Sequence, residues 1–104
     1  MLNAGDGGRR EFDLDERLIE FTIRVLNVVE ALPETRVGRH VAGQLVRSGS
    51  SPAPNYGEAC AAESRRDFIH KMTICLKELR ETKTWLRIAK QAANRTGDKT
   101  RRRP

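Results

Sequence analysis

The sequence predicts an all-α protein, an antiparallel up-and-down helical bundle of three helices with a kinked second helix. Three observations lead there. Apolar residues recur every three or four positions in long blocks, no stretch alternates apolar and polar residues as a strand would, and prolines and glycines cluster between the blocks. A length of 104 residues suits one domain. We divide it into a polar, Gly-rich opening over 1–12, a helical bundle over 13–94 and a basic tail over 95–104. Both terminal stretches lack apolar periodicity and are expected to be disordered.

The first helix is expected to start at Asp13, an N-cap with Glu16 as its capping-box partner, and to stop at Pro33. Leu14, Leu18, Phe21, Val25, Val28 and Leu32 form one helical face, and Ile19, Ile23, Leu26 and Val29 form an adjoining stripe. A helix apolar on two flanks should be buried on more than one side. The second helix is expected from about Thr35, with Val37, Val41, Leu45 and Val46 inward. Ser48 to Pro54 interrupts it. A kink explains this better than a loop: Ser51 can cap a fresh turn with Pro52 at its first position, where the missing N–H costs nothing. Ser64 is the expected cap of the third helix, with Asp67 in its first turn. There Phe68, Met72, Cys75, Leu79, Thr82, Leu86, Ala89 and Ala93 make an unbroken heptad seam along about 40 Å of helix. This helix is too long for the second to cover, so a second copy of the chain is expected to pack on its C-terminal half.

Charge is unevenly placed. Arg95, Lys99, Arg101, Arg102 and Arg103, against Asp98, hold +4 of the chain's net +6. The tail is thus the candidate nucleic-acid-binding segment, and a solvated tail is the plain alternative. Five such cations on a single strand would give a log–log salt slope of about −3.5.

No catalytic residues are identified. His40 and His70 fall on different helices, Cys60 and Cys75 lack C-x-x-C spacing, and no G-x-S-x-G or P-loop is present. No metal or cofactor is expected. Two cysteines with no secretory pattern, and no apolar run of about 18 residues, point to a cytoplasmic protein with reduced thiols that does not cross a membrane. Asp67–Lys71 and Lys77–Glu81 are i,i+4 pairs of solvated helix faces. Trp85 is either a core filler or an interface anchor. Pro52, Asn55 and Glu58 mark the kink: the amide and acid either bond free backbone groups there or are simply exposed.

Ser51-Pro52-Ala53-Pro54-Asn55-Tyr56-Gly57-Glu58-Ala59, then Ala62-Glu63-Ser64, Asp67-Phe68-Ile69-His70-Lys71, and Lys77-Glu78-Leu79-Arg80-Glu81-Thr82 with Trp85-Leu86, resemble the bacterial four-helix-bundle protein family. That family includes proteins encoded by intervening sequences within 23S ribosomal RNA genes, and is similar to the accessory protein of diversity-generating retroelements. The likeness covers about residues 13–93. It implies a non-enzymatic bundle assembling as a ring-like homopentamer, and, from the retroelement relative, binding to a reverse transcriptase and to RNA or DNA through a basic surface. It gives Asn55 and Glu58 a structural role at the turn of the second helix. The family's fourth helix has no counterpart here, since 94–104 lacks apolar periodicity. Leu76, Leu79 and Leu86 are expected to border the groove this leaves, and Leu79, Trp85 and Leu86 are the candidate interface residues. Two functions stay open: an oligomeric nucleic-acid-associated accessory protein without sequence specificity, and a protein-interaction scaffold with no nucleic-acid role.

Overall fold

A computed structural model of the protein describes the backbone of residues 2–102 and the side chains of residues 14–95. The described residues are helical with short turns: α1 (Leu2–Ala31), α2 (Arg36–Gly49), α3 (Pro52–Cys60) and α4 (Arg65–Arg102). α2 and α3 are the two arms of the kinked second helix. The expected start at Asp13 and end near Asn94 are corrected: the backbone of α1 is helical from Leu2 and that of α4 to Arg102, with no proline in either stretch to interrupt it, while the side chains of 1–13 and 96–104 lie outside those described.

Each boundary has a local cause. The chain leaves α1 through Leu32, whose N–H donates to Val29 O at 3.1 Å, and Pro33 then removes a donor. Thr35 caps α2, its hydroxyl accepting from Gly38 N at 3.0 Å. α2 closes with Ser50 N donating to Val46 O at 3.1 Å. It cannot run on, because Pro52 has no N–H to donate backwards, yet Pro52 is well suited to open α3. Ser64 caps α4 by accepting from Asp67 N at 3.0 Å.

α1 and α4 both pack on the α2–α3 arm. Leu18 and Val25 of α1, Val41 and Leu45 of α2, Ala59 of α3 and Cys75 of α4 are buried. Phe21, Val29, Leu32, Trp85, Leu86 and Ala89 close around Val25, Val41 and Leu45. The α4 seam lies inward through its middle, with Cys75 and Thr82 buried; its ends, Phe68 and Ala93, are exposed. Two small side chains allow close approach. Thr82 is fully buried against Ser48, its Oγ1 2.9 Å from Ser48 Oγ and 2.7 Å from Glu78 O, while the Ser48 hydroxyl donates to Gln44 O at 2.9 Å. Across the α1–α2 contact, Thr22 Oγ1 lies 2.9 Å from Gly49 O and 3.1 Å from Leu18 O.

Several inward expectations need correcting: Val37 and Val46 of α2 are 69% and 40% exposed, and Leu14 and Val28 of the first α1 face are 41% and 37% exposed, since they lie off the sides that meet a neighbouring helix. Of the second apolar stripe of α1, only Val29 is drawn into the core. Ile19, Ile23 and Leu26 remain 41%, 46% and 39% exposed, because α2 and α3 meet α1 on the face that carries Leu18, Thr22 and Val25. The fold is elongated, with extents of 64 × 31 × 17 Å. No helix among the described residues is long and apolar enough to cross a membrane.

Candidate nucleic-acid interface

Packing against α2 and α3 turns one side of α4 inward through its middle, and this sorts its charges. Of the three acids among its described side chains, two are consumed at the α2 contact: Arg47 donates to Glu78 Oε1 at 3.3 Å and is also ion-paired to Glu81. The third, Asp67, sits in the first turn, where a carboxylate complements the positive helix end. Lys71 also turns inward, to Glu58 of α3, with Nζ–Oε1 at 2.6 Å. That hydrogen bond, followed by the carboxylate's charge, raises the Lys71 pKa above its ordinary 10.5.

The outward side of α4 is different. At 100° per residue, Arg65, Arg66, Lys77, Arg80, Lys83, Arg87, Lys90 and Arg95 fall within an arc of about 140° that contains no acid among the described side chains, residues 65–95. All eight are exposed, and none is ion-paired to another described residue. Arg80, Lys83, Arg87 and Lys90 follow one another by three and four residues, so neighbouring charges stand about 5–6 Å apart. A row of cations at this spacing over about 45 Å of rigid helix suits a polyanion. Of the tail cations named from the sequence, Arg95 is exposed and continues this row; Lys99, Arg101, Arg102 and Arg103 lie outside the described side chains.

The kink residues form a second feature. Asn55 Nδ2 donates to both Ser51 O and Ser51 Oγ at 2.9 Å, so the amide clasps the turn that the prolines open. Pro52 is buried, and its carbonyl accepts from Cys75 Sγ at 3.5 Å. Burial pushes the Cys75 thiol pKa up, so this sulfur stays a packed thiol. Glu58 bonds Lys71 rather than backbone, tying α3 to α4.

With this architecture in view, comparison with known proteins is decisive. The family model for the 23S rRNA-intervening sequence protein matches residues 10–101. The chain belongs to that family. A crystal structure from Bacteroides thetaiotaomicron, described as a protein with unknown function from the S23 ribosomal protein family, is similar to this chain at 38% identity and a TM-score of 0.65. The similarity covers 71% of this chain and 68% of that one. No functionally curated protein matches. In this member of the intervening-sequence family, the motif Ser51–Glu58 thus holds the bend of the second helix and its tie to α4.

The remaining residues named from the sequence are spread over the fold. Trp85 is partly buried at the α2–α4 contact, its ring edge-on to His40 with centroids 5.8 Å apart and Nε1 3.4 Å from Glu81 Oε2. Leu79 is half-buried, and Leu86 lines a cleft between α1 and α4. Leu76 points outward, 49% exposed. The expected Lys77–Glu81 pair is not formed, because Arg47 reaches across from α2 and takes Glu81. Among the described residues no three His, Cys, Asp or Glu side chains converge as a metal site. The outward row of α4 is the feature that net-charge counting missed. Plotting the charges of 65–95 by helix phase would have shown the segregation.

Proposed function

We propose that this chain is a non-enzymatic accessory protein that works as a homo-oligomer and binds RNA or DNA without sequence specificity. The observation that carries the proposal is the arc of eight exposed cations on α4, free of acids among the described side chains 65–95. Phosphate contacts give affinity and position, whereas sequence reading needs groups that reach base edges or stack on bases. The outward arc of α4 has no aromatic residue. Lys99, Arg101, Arg102 and Arg103 extend the same charge. The family's name, which refers to ribosomal RNA genes, is consistent with a nucleic-acid setting. The exposed apolar stripe of α1 supports self-association.

The test is fluorescence anisotropy with a labelled single-stranded oligonucleotide between 50 and 200 mM salt. If Lys77, Arg80, Lys83, Arg87 and Lys90 each neutralise a phosphate, they contribute about −3.5 to the log–log slope. Replacing Arg80, Lys83 and Arg87 by Gln should flatten it by about 2. An unchanged slope overturns the role of α4, and an unchanged slope on removing residues 95–104 overturns that of the tail.

A further inference from the structure

The α1–α4 edge of the fold is open. Between the two helices lies a cleft of about 510 Å³ with Phe21, Val25, Val28 and Leu86 in its walls. Its geometry is that of a helix-binding groove. Leu14, Phe21 and Val28 repeat every seven residues on α1, and Leu79 and Leu86 do so on α4. Two heptad rows side by side present the holes into which a third helix sets its knobs. The rim is mainly cationic. Arg17 and Arg24 line it from α1, with Glu20 between them, and Lys83 and Lys90 flank Leu86 on α4.

The complementary surface is on the same chain. On the far side of α1, Ile19, Ile23 and Leu26 form an exposed ridge. Asp15, Glu16 and Glu30 share that arc, and no cation among the described residues falls within it. An apolar ridge bordered by acids matches an apolar groove bordered by cations. The ridge and groove lie on different sides of α1, so one copy cannot satisfy itself.

We propose that the ridge of α1 in one copy seats in the α1–α4 cleft of the next. The contact is head-to-tail, joining two different surfaces, so each copy keeps one surface of each kind free for a further neighbour. This rests on the reading of the protein as a homo-oligomer and names the surfaces that make it one.

The test uses two full-length variants, each blocking one surface at an exposed position. Ile23→Lys puts a cation in the ridge and leaves the cleft intact. Val28→Glu puts an acid in the cleft wall and leaves the ridge intact. Light scattering after size exclusion should show wild type as an oligomer and each variant alone at the 11.8 kDa chain mass. Mixed in equal amounts, they should form a dimer and nothing larger, since one intact ridge meets one intact cleft. Circular dichroism checks the helix content of both. Arg17→Glu/Arg24→Glu, at exposed rim positions, is a second cleft variant, expected to weaken its own assembly at least tenfold and yet to pair with Ile23→Lys as tightly as Val28→Glu does, because that pair uses its intact ridge and the unaltered cleft of Ile23→Lys. A mixture that stays monomeric, or variants that still assemble alone, overturns these surfaces while leaving the oligomer reading in place. A monomeric wild type overturns both.

Discussion

Gly49 packs closely against Val25 of α1, and replacing it by Ala tests the packing directly. A Cβ there would lie 2.7 Å from Val25 Cγ1, 3.2 Å from its Cβ and 3.4 Å from its Cγ2. Val25 is 3% exposed and β-branched, so it has few rotamers to retreat into. The helices must part, and the Thr22–Gly49 O hydrogen bond at 2.9 Å stretches with them. Overpacking of this kind costs about 1–3 kcal/mol. Alanine's better helix propensity offsets up to about 1 kcal/mol, and less at the last residue of a helix. We expect a net loss of about 1–2 kcal/mol, a fall in Tm of roughly 5–15 °C by circular dichroism. Gly43 provides the control, because nothing lies within 4 Å of a Cβ built there. Gly43→Ala should gain up to about 1 kcal/mol. Adding Val25→Ala to Gly49→Ala should cost less than the sum of the single changes, because the clash partner is gone. If Gly49→Ala proved as stable as Gly43→Ala, the close α1–α2 contact would be refuted.

Three further outcomes are expected. Ser48→Ala and Thr82→Val should each cost about 1 kcal/mol, and the double variant should cost about as much as either alone, since both remove the same α2–α4 hydrogen bond; additive losses in urea titrations would argue against it. Glu58→Gln should be less stable than wild type at pH 8, and the difference should close as pH rises beyond 10.5. The raised Lys71 pKa makes its contribution fully present below its ordinary value and lost as the folded value is passed, so a gap independent of pH up to 11.5 would contradict the tie. Iodoacetamide on the native protein should label exposed Cys60 and spare buried Cys75, a difference that urea should abolish; equal native rates would count against the seat of Cys75 beneath Pro52.

Much of the fold was legible because helices are local. Pro33, Thr35, Pro52 and Ser64 punctuate the chain by what their own backbone and side chains can bond, and the structure places helix boundaries beside each. The heptad seam of α4 identified Cys75 and Thr82 as inward without knowledge of their partners. Other features could not be read this way. Glu81 has a cation four residues before it, yet Arg47, thirty-four residues away in sequence, is its partner. Ile19 and Ile23 are as apolar as Leu18 and Val25, and hydrophobicity alone cannot say which flank meets a neighbour.

The same division separates the two functional surfaces. The sequence by itself determined the helical class, the caps at Thr35 and Ser64, the kink and the order of cations along α4, because each depends on residues within a few turns of one another. Only the tertiary structure decided which of the α4 charges are neutralised. Arg47 and α3 engage the acids and Lys71 on the inner half, so the outer half carries uncompensated charge although most of the chain outside the tail is near neutral. The cleft between α1 and α4 likewise exists only because both helices pack on the same central arm and leave their outer edges apart.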